Sequence, residues 1–330
     1  MRVFVTGGSG FVGGHVIEAL RSDGHEVHAL ARSPSSASRV AAFGATPVIG
    51  ALGEIKPDAI RDCDAVVHAA AHVASWGPWE DFAQINIEGT RQLVAAARAA
   101  GVGRFVHIGT EAALFAGQDL VDVDESYPHP KRQRFAYSRS KAEAEKLVLA
   151  ADDVAGMRTV VLRPRLVWGP RDASVGAAVE RMGKDGTWIW LDGGRHRTST
   201  CHVDNLCSAV GAALAADTGG RTYFIADDGE RSLRQFLSAI AAARGLSLPD
   251  RSVPGWVART VAAVLDIAWR TIGRVTPPPL VPFEISMMSA SITVRTGRAR
   301  AELGWRPVRT VADGLEALRT GPVHNPHERP

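Results

Sequence analysis

The chain has 330 residues, with 38 Lys+Arg against 35 Asp+Glu, a formal net charge of +3. At 45% hydrophobic and 22% charged, it is too apolar to stay disordered, and so small a cationic excess makes no case for a nucleic-acid surface. Three cysteines, Cys63, Cys201 and Cys207, build no disulfide framework and fit no zinc spacing, so a reducing compartment and no metal are expected.

In chain order, Arg2–Thr6 reads as a strand broken at once by glycines, with no signal-peptide core, which points to a cytoplasmic location. Phe11–Ser22 reads as a helix and Glu26–Ala31 as a strand. Short strands are expected at Pro47–Ile49 and Ala65–Ala70. A long helix over Asp81–Ala100, a strand over Arg104–Gly109, a helix over Tyr137–Ala151 and a strand over Arg158–Arg163 follow. Strands alternating with helices imply βαβ units, hence a parallel sheet covered on both faces.

Beyond Pro164 the alternation loosens. Helices are expected at Ala173–Gly183, Asp204–Ala216, Ser232–Arg244, Gly255–Gly273 and Ala312–Leu318, with an extended turn at Pro277–Pro279 and a frayed tail from Gly321. No stretch is apolar enough over roughly 18 residues to span a membrane. The organisation is a doubly wound α/β domain over residues 1–165 and a smaller lobe over 166–330. Segments around 204–228 return to the first domain.

Thr6-Gly7-Gly8-Ser9-Gly10-Phe11-Val12-Gly13 follows a strand and opens a helix. Gly7 serves the tight turn, Gly10 the close approach of a pyrophosphate, and Gly13 the packing of helix on sheet. Ser9, Phe11 and Val12 offer the N–H groups of the helix start. The second strand ends in Arg32, where an acidic residue would signal NAD; a guanidinium suits a 2′-phosphate, so NADP(H) is favoured over NAD(H).

Tyr137 and Lys141 lie four residues apart on one helix face. With three tyrosines and five lysines in the chain, about 0.05 such pairs are expected by chance. A cation beside a phenol lowers its pKa and makes it a usable acid or base.

These motifs resemble the extended short-chain dehydrogenases/reductases, the class that holds the Rossmann-fold NAD-dependent epimerases and dehydratases. Further segments carry the likeness: Asp64–Ala71, Asn86-Ile87-Glu88-Gly89-Thr90, Arg163–Pro170, His202–Asn205 and Ala301–Trp305. The resemblance implies hydride transfer, with Thr110 and Tyr137 on the substrate oxygen and Lys141 on the nicotinamide ribose. It adds Ala51, Leu52, Ala69, Ala70, Ala71, Asn86, Ile108, Pro164, Leu166 and Val167 to the residues around the cofactor. Two departures stand out: Gly109-Thr110 replaces a pair of hydroxyl residues, and Gly50-Ala51-Leu52 replaces Gly-Asp-Leu.

The pattern is most similar to the 3β-hydroxysteroid dehydrogenase-like and 2-alkyl-3-oxoalkanoate reductase-like branch, which implies a small-molecule apolar carbonyl or alcohol as substrate: steroid-like, a β-keto acid or a bulky ketone. Trp76, Trp168 and Trp190 are candidate pocket walls, and the basic loop Lys131–Arg134 is a candidate carboxylate receiver or a solvated loop. Helix 255–273 is apolar around most of its circumference and suits a core or dimer helix, a lid over a greasy substrate, or a membrane-surface contact. A sugar-nucleotide epimerase or dehydratase and a non-catalytic dinucleotide-sensing protein are the alternatives. Net consumption of cofactor separates the first from the reductase, and the Tyr137/Lys141 pair weighs against the second.

Overall fold

The computed structural model describes residues 1–320; the tail from Gly321 expected to fray lies outside the described residues. Seven strands form the central sheet: β1 (Arg2–Thr6), β2 (Glu26–Ala31), β3 (Thr46–Ile49), β4 (Ala65–His68), β5 (Arg104–Ile108), β6 (Arg158–Pro164) and β7 (Arg221–Ile225). Their order is β3-β2-β1-β4-β5-β6-β7, and every pairing is parallel. The chain winds outward from β1 to β3, then crosses to β4 and winds the other way. That reversal opens a crevice at the C-terminal ends of β1 and β4, where ligands of such sheets bind.

Strand residues alternate between two cores. Val3 and Val5 point to one face, with Val16, Ile17 and Leu20 of α1 (Phe11–Ser22). Phe4, Val66 and Phe105 point to the other. There they meet Leu93 and Val94 of a helix ending at Ala99 and Val148 of the helix Ala136–Ala150. The near-continuous burial of β1 and β4 is what covering on both faces demands.

Several boundaries differ from the sequence reading. The helix expected over 81–100 starts at Trp79 and is wound as a π-helix over Ala83–Glu88. A helix at Pro34–Ala42 (α2), built of small polar residues, shows no apolar stripe in the sequence. Ser33 and Ser36 cap it reciprocally, with Pro34 opening its first turn. The helix Val203–Ala215 packs on the α1 face, and β7 pairs with β6.

The later helices pack around a core of their own, with short strands pairing among them. Trp168, Trp188, Trp190, Phe236 and Ile240 form their core. The helix Gly255–Thr271 buries only Gly255, Ala258 and Ala262. Its outer face leaves Trp256 66% and Ile267 64% exposed. Among the described residues, no helix is long and apolar enough to cross a membrane.

Candidate active site

The glycine loop is closed by contacts that forbid side chains. Gly7 has φ +74°, and a Cβ there would sit 2.6 Å from the Ala70 backbone nitrogen. A Cβ on Gly13 would fall 2.2 Å from the Gly7 carbonyl oxygen. No side chain caps α1 at Gly10, so the N–H groups of Phe11, Val12 and Gly13 are left for an anion. These residues fit a dinucleotide, with Ala69, Ala70 and Ala71 running from β4 beside the loop.

Arg32 follows β2 directly and is exposed. Arg39, which the sequence reading did not single out, reaches back from α2 and donates from Nη1 to the Ser9 carbonyl at 3.2 Å. Ala51 and Leu52 follow β3, and Leu52 packs against Gly89, whose missing Cβ would lie 2.9 Å from it.

Thr110 lies two residues past β5 and Tyr137 is in the first turn of the helix Ala136–Ala150, so strand end and helix start converge. Burial pushes the Tyr137 phenol above its ordinary pKa and the Glu111 carboxylate adds to this, while a hydrogen bond with Thr110 pulls it down. Lys141 donates to the Ile108 carbonyl at 2.8 Å, and burial lowers its pKa to about 8. The expected lowering of the Tyr137 pKa by Lys141 is therefore corrected. The phenol is enclosed next to an anion, and desolvation outweighs the help of a cation that is turned to β5.

Thr110 does not point its proton at open space. Its Oγ1 donates to Glu111 Oε2 at 2.8 Å and accepts from the Ala112 N–H at 3.2 Å. Arg165, just past β6, donates from Nη1 to Glu111 Oε1 at 2.8 Å. Sequence reading missed this pair; the signal was a charged residue beside each of two motif positions on adjacent strands.

A polar chain joins the glycine loop to the Tyr137 helix. Thr90 gives its proton to the Asn86 carbonyl at 2.7 Å, so His68 Nε2, 2.9 Å from Thr90 Oγ1, must be the donor. His68 Nδ1 then accepts from Thr6 Oγ1 at 2.7 Å. Burial, then Lys141, lowers the His68 pKa to about 3, in keeping with a neutral ring. The π-wound turn presents the Asn86 side chain to the His72 backbone and to Ser140 Oγ at 2.9 Å.

The three tryptophans separate. Trp76 lies in the loop after β4 and donates to Asp266 at 2.6 Å, tying that loop to the helix Gly255–Thr271. Trp168 and Trp190 are each 1% exposed. Trp168 donates to Asp227 and Trp190 to the Pro249 carbonyl, so both serve packing of the second lobe in place of an open wall. Phe283 supplies the apolar neighbour that Tyr137 does have, with ring centroids 5.6 Å apart. In the basic loop, Lys131, Arg132 and Arg134 are exposed, and Gln133 is tied to the Ala113 carbonyl. Leu166, beside Pro164 and Val167 at the end of β6, has φ +44°.

Residues 3–226 match the NAD dependent epimerase/dehydratase family. Over 98% of its length the chain is 38% identical to a 4-hydroxy-2-methyl-3-oxo-4-farnesyl-3,4-dihydroquinoline-1-oxide ketoreductase from Stigmatella aurantiaca, covering 97% of that protein. It is 30% identical to a 2-alkyl-3-oxoalkanoate reductase from Stenotrophomonas maltophilia, over 97% of this chain and 98% of the other. A UDP-glucose 4-epimerase structure from Thermotoga maritima shares the fold, with a TM-score of 0.75 at 20% identity and 97% of each chain covered. The chain thus belongs to the NAD dependent epimerase/dehydratase family, the extended short-chain dehydrogenases/reductases.

Proposed function

We propose that the chain is an NADP(H)-dependent oxidoreductase interconverting a ketone and a secondary alcohol on an apolar substrate that is steroid-like, a β-keto acid or a bulky ketone. The observation that carries this reading is the convergence of Thr110, Tyr137 and Lys141 at the C-terminal edge of the sheet, beside the glycine cradle, with Lys141 buried and the other two half-buried. A bound nicotinamide supplies the hydride, or accepts it in the reverse direction. Tyr137 gives its phenolic proton to the carbonyl oxygen; burial and Glu111 keep that proton on the ring until it is needed, which favours reduction. Lys141, fixed on Ile108, holds its ammonium one helical turn from the phenol. Phe283 keeps water from the phenol and gives an apolar substrate its first contact.

Two exposed arginines stand near the end of β2, Arg32 just before α2 and Arg39 in its last turn reaching back to the glycine loop, and no acidic residue ends β2. That pair supports NADP(H), since guanidinium groups bond a phosphate through paired N–H donors. Ketoreductase relatives support a net reduction over epimerisation, in which the cofactor returns unchanged. The test is NADPH oxidation measured against a panel of cyclic ketones, aryl ketones and 3-oxo acids. Stoichiometric oxidation with at least one of them is expected; none across the panel with either cofactor overturns the reading.

A further inference from the structure

The two faces of the helix Gly255–Thr271 are built from different residues. At about 100° per residue, the buried Gly255, Ala258 and Ala262 fall on one side. Ala258 and Ala262 pack with Leu191 and Ile285 in a small apolar core. Asp266 lies on the same side and takes the Trp76 indole N–H at 2.6 Å. The helix is thus already seated on the chain, and its opposite face points away from it.

That opposite face is apolar and bare. Trp256, Val261, Val264 and Ile267 are exposed and fall within an arc of roughly 140° that holds no charged residue. Two exposed threonines share the arc, and both turn their hydroxyls back on the helix: Thr260 donates to the Trp256 carbonyl at 2.9 Å and Thr271 to the Ile267 carbonyl at 2.8 Å. The face therefore makes no demand for water or for a polar partner. Ile272 and Val275 continue the exposed apolar run past the helix end. Six of the fourteen large hydrophobic side chains exposed among the described residues lie in this one stretch, and such clustering marks a contact surface.

Charge is confined to the borders. Arg259 and Arg270 stand side by side along one edge of the arc, and Arg251 and Arg274 lie just beyond the two ends. Both acidic residues between positions 250 and 276 are spent, Asp266 on Arg270 and Asp250 on Arg234. Arg251 and Arg274 are exposed and have no carboxylate partner among the described residues. An apolar strip with an indole at one end and unpaired cations around it is complementary to hydrocarbon bordered by anionic headgroups.

A second copy of the chain fits this face less well. A helix of 17 residues is about 25 Å long, so its face offers roughly 250 Å², against the about 800 Å² that each partner brings to a stable protein interface. Pairing two copies face to face would also bring the bordering arginines together. A bilayer needs neither a large area nor a matching shape. Because no helix among the described residues is long and apolar enough to cross a membrane, the contact is peripheral.

We propose that the outer face of Gly255–Thr271 is a lipid-binding surface, which lies along an anionic bilayer with Trp256, Val264 and Ile267 below the headgroups and Arg251 and Arg274 among them. The inference goes beyond the ketone–alcohol reading and does not depend on turnover, so either stands if the other fails.

The test is flotation of the full-length protein with vesicles of phosphatidylcholine alone and of phosphatidylcholine mixed with phosphatidylglycerol, at low and high salt. Binding to the mixed vesicles, weakened by salt and weaker still on phosphatidylcholine alone, is expected. Val264→Glu/Ile267→Glu is expected to lose binding by roughly tenfold or more. Arg251→Glu/Arg274→Glu is expected to lose roughly tenfold on the mixed vesicles only. All four positions are exposed, so the urea midpoints should match the wild type; Trp256→Ser, a change without charge, should weaken binding several-fold and serves if a glutamate variant does not fold. No binding to the mixed vesicles overturns the proposal. So does binding that Val264→Glu/Ile267→Glu leaves unchanged, since another surface then carries it. A dimer in the absence of lipid that the same variant splits into monomers also overturns it, and assigns the face to a second copy.

Discussion

The Lys141 ammonium donates to the Ile108 carbonyl at 2.8 Å, the one hydrogen bond it makes among the described residues. Burial has lowered its pKa from 10.5 to about 8. Below pH 8 both folded and unfolded chains carry the proton, and the folded chain bears the cost of a buried charge. Between about 8 and 10.5 only the unfolded chain keeps it, so stability rises with pH. Lys141→Met should therefore stabilise the cofactor-free protein at pH 7, by about 1–3 kcal/mol after the lost hydrogen bond is counted, while reducing activity. That advantage should shrink as pH rises through this window. Urea denaturation of both proteins at pH 7 and pH 9.5 measures it; a variant less stable at pH 7 contradicts the assignment.

Glu145 lies on the helix that carries Tyr137; Arg163 hydrogen-bonds it, and His129 Nε2 lies 3.1 Å away. Burial alone would raise its pKa, yet Arg163, then His129, holds it below the usual carboxylate range. Glu145→Ala leaves the Arg163 guanidinium buried without its partner, and should cost about 3–5 kcal/mol in chemical denaturation. Because the folded carboxyl pKa is depressed, the wild-type protein should lose this contribution as pH falls through that lowered value, and the variant should not.

Much of this architecture could be read from residues alone, and the exceptions have physical reasons. The strand β1 was visible as an apolar run ended by glycine, and β2 and β5 as short stretches rich in Val, Ile, Leu and Phe between charged or glycine-rich segments. The helix Pro34–Ala42 was not, since Ser and Ala dominate it and only Val40 is buried. Gly7 and Gly13 were legible because their spacing is dictated by backbone approach. The Glu111–Arg165 pair was not, because it joins residues 54 positions apart through adjacent strands. Trp168 and Trp190 look alike in sequence to Trp76, and only packing separates two core side chains from one in a loop.

Cofactor choice turns on Arg32 and Arg39. Arg32→Asp should lower kcat/KM with NADPH by about 10–100-fold, the loss of charge-assisted bonds to a phosphate, and raise it with NADH. Arg39→Ala should reduce NADPH use by less. The ratio of the two specificity constants is the measurement. An unchanged ratio in the Arg32 variant shows that the 2′-phosphate is read elsewhere, or not at all.

The loop after β4 is held to the helix Gly255–Thr271 through Trp76 and Asp266, with the Arg270 guanidinium over the indole ring. Trp76→Phe keeps an aromatic side chain, smaller by the pyrrole ring, and removes the N–H. It should raise KM for the carbonyl substrate by about tenfold, the worth of one hydrogen bond to a charged group, and leave NADPH affinity unchanged. Isothermal titration with NADPH and steady-state kinetics separate the two. A fall in cofactor affinity alone would assign the loop to the cofactor.

The central claim is that the Tyr137 phenol moves the proton while hydride passes between cofactor and substrate. Tyr137→Phe removes only the hydroxyl from a half-buried ring that packs on Phe283. Steady-state turnover of a ketone with NADPH, paired with direct NADPH binding by the same preparation, is the measurement. A loss in kcat of about 10²–10⁴-fold with unchanged NADPH affinity is predicted. Turnover within a few-fold of the wild type, with the cofactor still bound, would contradict it.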